Sequence, residues 1–301
     1  MPIIVTHCDI HFLSRAVALI SSILETSGTK EIWVYTHDTE SFRILNLLAL
    51  KNVTIISSDV LANSFSELQG SREVKNYMEY IYALTPFMIL YAAEKTKDSV
   101  WYIDADVYFL KSFSHLEKQV NNKSILVTAH NFPSRLKYLE KYGKFNVGII
   151  FVSGDEESLE TVRWWAVKCI ENTSTFSKED VYGDQKYLDE FPSHNSNFHV
   201  FKPVDCCAAP WNIELINDLP PVTFHYSGLR RYRYFSFLGL SRYFVKVDSN
   251  YRSAIYAPYN DRLDKIEKEI FGGLKFDTRK ISRNSWMRMI FSHDVMIRLW
   301  G

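Results

Sequence analysis

Val100-Trp101-Tyr102-Ile103-Asp104-Ala105-Asp106-Val107 is an apolar run that closes on two aspartates one residue apart. Short and rich in aromatic and β-branched residues, it predicts a buried strand. The same texture recurs on both sides of it, at residues 3–6, 31–36, 52–57, 124–128, 147–152 and 198–201. Between these runs, residues 12–25, 41–50, 73–95, 134–142 and 156–170 carry apolar side chains at helical spacing. Alternation of this kind requires crossover connections, hence an α/β fold with a mainly parallel, Rossmann-like central sheet flanked by helices. Pro86 falls inside the third helical stretch and predicts a kink or break near Thr85.

Asp104 and Asp106, at i and i+2, project to one side of the chain at the carboxyl end of their strand. In open parallel sheets that is where ligands bind. Paired carboxylates suit Mn²⁺ or Mg²⁺ and leave coordination positions open for phosphate oxygens. The candidate third ligand is His225, where Val222-Thr223-Phe224 runs into Tyr226-Ser227-Gly228. Imidazole beside carboxylates favours Mn²⁺ over Mg²⁺. The plainer alternative is a histidine hydrogen-bonded in the core.

The 301 residues are 47% hydrophobic and 23% charged, which excludes a disordered chain. Thirty-five basic residues balance thirty-five acidic ones, which argues against a generally basic nucleic-acid binder. The balance is uneven along the chain. Residues 226–301 hold fifteen Lys/Arg against seven Asp/Glu, and residues 1–225 carry the opposite excess. We therefore expect an α/β domain over 1–225 and a basic, aromatic, mostly helical appendage over 226–301. In that appendage Arg230, Arg231, Arg233, Arg242, Lys246 and Arg252 alternate with tyrosines and phenylalanines, and Trp286, Ile290, Ile297 and Trp300 share one helical face. Packing on the α/β domain is one reading and contact with an anionic membrane surface another. No nucleic-acid partner is expected, because no known module's motif is present. Cys8, Cys169, Cys206 and Cys207 form no CxxC pair, and the first strand follows Met1 without a basic leader. The expected address is cytoplasmic, peripheral on the inner face of the membrane if the appendage binds lipid.

Six segments occur in a telling order: Val5-Thr6-His7-Cys8-Asp9, Tyr102-Ile103-Asp104-Ala105-Asp106, Lys144-Phe145-Asn146-Val147-Gly148, Gly183-Asp184-Gln185, Ala209-Pro210-Trp211-Asn212 and His225-Tyr226-Ser227-Gly228. Over residues 2–233 this series resembles the nucleotide-sugar glycosyltransferases of the GT-A fold, especially the retaining family 8 branch and its bacterial relatives. The resemblance implies a metal-dependent enzyme moving sugar from a UDP-sugar or related donor to a glycan or lipid-linked acceptor, with retention, as in surface polysaccharide or lipopolysaccharide assembly. It implies that Asp9 contacts the nucleotide base or ribose, that Asp104 bridges ribose and metal, and that Asp106 and His225 hold the metal. Asn146, Asp184 and Gln185 would line the sugar pocket, the last two as catalytic residues. Gly148, Asn212 and Gly228 complete the binding set.

Two departures from the family pattern matter. The helix before the metal strand lacks the family's arginine, and the lysine after the His-x-x-Gly turn is absent; Arg230 and Arg231 would take its phosphate charge. Asp184 also reads equally well as a helix N-cap. Two other functions use related features: a phosphotransferase with a nucleophilic aspartate, and an inactive sugar-nucleotide-fold scaffold at a membrane. Ala105 and Val107 around the aspartate pair, with no threonine after it, argue against the first.

Overall fold

The computed structural model describes residues 2–174, 182–232 and 235–274, and the backbone of residues 295–297. In chain order the strands are β1 (Ile3–Cys8), β2 (Glu31–Thr36), β3 (Val53–Ser57), β4 (Val100–Ile103), β5 (Val107–Phe109), β6 (Ile125–Ala129), β7 (Phe145–Val152), β8 (Phe198–Val200), β9 (Thr223–His225), β10 (Arg230–Arg231), β11 (Phe235–Phe237) and β12 (Val295–Ile297). Seven of them form one sheet in the order β3-β2-β1-β4-β7-β6-β8. The first four are mutually parallel, β7 is antiparallel to both its neighbours, and β8 is parallel to β6. The mostly parallel sheet expected from the alternation is present.

The longer helices are α1 (Leu13–Ser27), α2 (Thr39–Leu48), α3 (Tyr77–Thr96), α4 (Glu156–Glu171) and α5 (Ala257–Phe271). Alternate residues of the central strands feed two cores. Ile4, Trp101 and Ile103 pack with α1 and α5, whereas Ile3, Val5, Val100 and Tyr102 pack with α3 and α4. Burial on both faces explains why these strands read as continuous apolar runs.

Several elements differ from expectation. The helix expected from residue 73 begins instead at Tyr77, because Asn76 and Glu79 form a reciprocal capping box. A separate short turn of helix, Ser71–Val74, precedes it. Pro86 does not break α3. Its ring removes one hydrogen bond, but α3 is buried on most of its circumference, from Tyr80 through Ala93, and that packing carries the helix through. Ser134–Tyr142 is a 3-10 helix, not an α-helix.

Helix, α5 above all, is the main element of the appendage over its described residues, as expected, but strands accompany it. β10, β11 and β12 form a small antiparallel sheet, so residues 295–297, expected on a helix, are a strand paired with Phe235–Phe237. Trp286, Ile290 and Trp300 lie outside the described residues, as does Arg233. Leu238, Tyr243, Tyr256, Tyr259 and Leu263 share one core with α1. Ser14 donates to Glu267 (3.1 Å) and Arg262 pairs with Glu25 (2.5 Å), fastening α5 to α1. Packing on the α/β domain thus accounts for residues 235–274. Among the described residues no helix is long and apolar enough to cross a membrane, and all four cysteines are buried and unpaired.

Candidate active site

β4 ends at Ile103, and Asp104-Ala105-Asp106 makes the turn into β5. β5 then pairs antiparallel with β9, in a register that sets Val107 opposite His225. That register is why two residues more than a hundred positions apart meet. His225 Nε2 lies 3.0 Å from Asp106 Oδ1 and 3.7 Å from Asp104 Oδ2. One ligand atom from each of the three side chains falls within 4.8 Å of the others. Bond lengths of about 2.0–2.6 Å to a divalent ion fit that spacing, and two carboxylate oxygens with one imidazole nitrogen are a donor set for Mn²⁺ or Mg²⁺.

The triad is held from behind. The backbone N–H of Asp104 donates to the Gly148 carbonyl (2.9 Å), and that of Tyr226 to the Asp106 carbonyl (2.9 Å). Tyr102, two residues before Asp104 and on the same side of β4, donates its hydroxyl to Asp104 Oδ1 (2.8 Å). The hydroxyl in turn accepts from His7 Nε2 (2.9 Å), and His7 Nδ1 accepts from His37 Nε2 (2.8 Å). Burial keeps both imidazoles neutral, and that sets the direction of donation along the chain. Burial, with the two rings opposing each other's charge, lowers His7 to about 3; burial and Arg72 lower His37 to about 4.

Charge within the triad is shared. Burial pulls His225 down, but the Asp106 charge and hydrogen bond, with Asp104 beyond, hold it above its ordinary value. Burial pushes both carboxyls up; the His225 charge reverses this for Asp106, while for Asp104 burial and the Asp106 charge prevail and its pKa is raised. An incoming divalent cation would replace the shared proton as the counter-charge.

The triad floors a cleft of ≈ 380 Å³, lined at one end by Asp9, His37 and Tyr77 and at the other by Gln185, Trp211 and Arg242. That size suits a small-molecule ligand. No protein-family model matches the sequence. The uncharacterized protein YfnD of Bacillus subtilis (strain 168) is 24% identical over 272 residues, covering 85% of this chain and 86% of YfnD. Mouse xyloside xylosyltransferase 1 superposes with a TM-score of 0.54 at 10% identity, over 75% of this chain and 98% of its own. The galactosyltransferase LgtC, solved in complex with donor and acceptor sugar analogs, superposes at 0.52 and 15% identity, over 75% and 87%.

The chain has the GT-A fold.

In the GT-A cleft stand Asp9, Asp104, Asp106, Asn146, Asp184, Gln185 and His225. Asp9 Oδ1 accepts from the backbone N–H of His11 and Phe12, and Oδ2 accepts from the Tyr77 hydroxyl (2.9 Å). Asn146 Oδ1 accepts from Gly148 N (3.0 Å), and its buried Nδ2 has no partner among the described residues. Gly148 lies beneath the triad rather than in the cleft: a Cβ there would sit 2.8 Å from His225 Nδ1. Asp184 makes no side-chain cap to the helical turn that follows. Its carbonyl accepts from Trp165 Nε1 (2.9 Å). Gln185 Nε2 donates to the Tyr142 carbonyl (3.0 Å).

Other predicted residues are placed elsewhere. Asn212 is buried, accepting from Ala209 N (2.8 Å) and donating to the His130 carbonyl (2.9 Å), which shapes the wall behind Trp211. Gly228 packs its turn against Gly239 and holds a left-handed backbone at φ 80, which is what requires glycine there. Arg230 is exposed and lines no part of the cleft. Arg231 is turned inward, 5% exposed, paired with Asp264 and with Glu267 (2.6 Å). Its charge is paired with α5, which is the physical reason it lines no part of the cleft. Arg231→Met should strand two carboxylates and cost about 3–5 kcal/mol in urea unfolding.

Asp184 carries a second measurable consequence. Burial first, then the Asp104 charge, raises its carboxyl from 3.8 to about 7. The unfolded chain binds fewer protons than the folded one between those values, so this group costs stability progressively as pH rises from about 4 to 7. Asp184→Asn should therefore melt higher than the parent above pH 7, by at least about 2–4 °C, the shift produced by roughly 1 kcal/mol. Thermal scans without metal should show the gap closing below pH 4.

Proposed function

We propose that this protein is a metal-dependent glycosyltransferase that moves a sugar from a nucleoside-diphosphate donor, a UDP-sugar first among them, to a glycan or lipid-linked acceptor with retention. The observation that carries the reading is the Asp104–Asp106–His225 triad at the floor of a GT-A cleft, beyond the carboxyl ends of β1 and β4. Solved proteins of this fold include a galactosyltransferase and a xylosyltransferase.

Asp104, Asp106 and His225 would hold Mn²⁺ or Mg²⁺, which supplies positive charge to the diphosphate as the anomeric C–O bond breaks. Asp9, Tyr77 and His37 bound the end of the cleft that would take the base and ribose. Asn146 Nδ2 offers a donor to a sugar hydroxyl. Asp184 and Gln185 stand on the sugar side. Above pH 7 the Asp184 carboxylate would face the positive character that develops at the anomeric carbon, as carboxylates do in glycoside hydrolysis. Closure of acceptor over donor excludes water from that cation and favours transfer over hydrolysis.

The test is a screen of nucleotide sugars for binding and slow hydrolysis with and without Mn²⁺. At least one donor should bind more tightly with metal; none doing so would remove the transferase reading. Following the anomeric proton of the product by NMR should show the donor's configuration, and an inverted product would overturn retention alone.

A further inference from the structure

We propose that the acceptor of this enzyme carries an anionic group, a phosphate or a carboxylate, and that Arg242 binds it at the end of the cleft opposite the base. The inference rests on the transferase reading and adds the chemical class of the second substrate. Arg242 is the one lysine or arginine among the described residues that lines the cleft. It stands in a ring of aromatic side chains. Its guanidinium carbon lies 5.8 Å from the Tyr243 ring centre, and the Tyr142 and Tyr182 rings are 4.9 Å apart beside it.

Two ring contacts separate Arg242 from the metal triad. His225 meets Trp211 at 5.6 Å, and Trp211 meets Tyr243 at 5.8 Å. Arg242 therefore lines the same cleft as the triad, with Trp211 and Tyr243 linking the two. No described carboxylate forms an ion pair with it; the groups that hold its pKa up are Tyr243, Tyr182 and Tyr142. The cleft's carboxylates, Asp9, Asp104, Asp106 and Asp184, belong to its other parts. An exposed guanidinium at the cleft wall, with no carboxylate partner among the described residues, is matched by an oxyanion, which it grips through two parallel N–H bonds. Tyrosine and tryptophan faces around it suit the apolar face of a pyranose while their polar tips reach hydroxyls.

The site is built in advance of any ligand. Arg135 donates to the Tyr243 carbonyl (2.6 Å) and pairs with Glu214 (2.6 Å), so the turn bearing Arg242 is tied to two other segments. Phe244, next in the chain, is fixed in the left-handed region at φ 55. Little ordering remains to oppose binding.

The experiment compares glucose, glucose 6-phosphate and glucuronic acid by ligand-observed NMR titration, with UDP and Mn²⁺ saturating. The parent chain should bind one or both charged sugars at least tenfold more tightly than glucose, and the better of the two identifies phosphate or carboxylate as the recognised group. Arg242→Gln should bring all three within about twofold, and Arg242→Lys should keep part of the preference. Equal binding of the three by the parent, or a preference that survives in Arg242→Gln, overturns the proposal. The readout needs no turnover, so it stands apart from the donor screen: absence of metal-dependent donor binding sinks the transferase reading, whereas absence of a charge preference in the parent chain sinks this inference alone.

Discussion

Asp106→Ala is expected to lower donor turnover by at least about a thousandfold while leaving the fold intact. Asp106 is the most enclosed of the two carboxylates, 14% exposed against 27% for Asp104, and it makes the shorter contact with His225. On the proposed reading, its removal would leave one carboxylate and one imidazole to hold an ion that must also hold a diphosphate. Loss of several kcal/mol of leaving-group stabilisation corresponds to that rate change. Stability should fall modestly, because alanine removes the nearest counter-charge of His225, offset in part by relief of repulsion with Asp104. Mn²⁺ titration of donor binding and a circular-dichroism melt check both halves. An Asp106→Ala chain that binds donor with parental metal dependence would move the ion away from the triad.

The residues that could be read from the sequence are those whose role depends on local pattern. A strand buried on both faces announces itself as a short apolar run, and Asp104 and Asp106 are where period-two geometry and the carboxyl-end rule place them. The Asn76–Glu79 capping box was also present in the sequence, three residues apart, and a stricter reading of it starts α3 correctly. His7 lies near the carboxyl end of β1, two residues before Asp9, and His37 directly follows β2, so the carboxyl-end rule that located Asp104 could have found both.

What local pattern cannot carry is the choice of partner. Arg231 and Arg242 are both arginines amid aromatic residues. One is spent on Asp264 and Glu267 more than thirty positions away, and the other is left facing the cleft. Nothing near either residue decides this; the docking of α5 on α1 does. β12 has the same character, since Val295–Ile297 becomes a strand only because β11 offers an open edge some sixty residues earlier. Non-local pairing overrode a helical pattern there.

Gly148→Ala tests whether the site depends on a missing side chain as much as on those present. The substitution adds one carbon. It would lie 2.8 Å from Asn146 Oδ1 and 2.8 Å from His225 Nδ1, closer than real contacts allow. Gly148 has no left-handed backbone to strain, so the whole effect is steric. His225 cannot yield sideways, because Trp211 packs edge-on at 5.6 Å and Asp106 holds Nε2. Asn146 can yield only by giving up its bond to Gly148 N, and a shift of the strand moves the carbonyl that anchors Asp104. Overpacking of this kind costs about 1–3 kcal/mol. Displaced imidazole and carboxylate together should weaken Mn²⁺ binding by at least about a hundredfold, above the loss typical of a single outer-shell contact. Gly148→Ala/Asn146→Ala should recover stability by clearing one clash, yet leave the metal defect, because His225 is still displaced. Parental Mn²⁺ affinity in the single variant would mean that His225 is not held where it meets the ion.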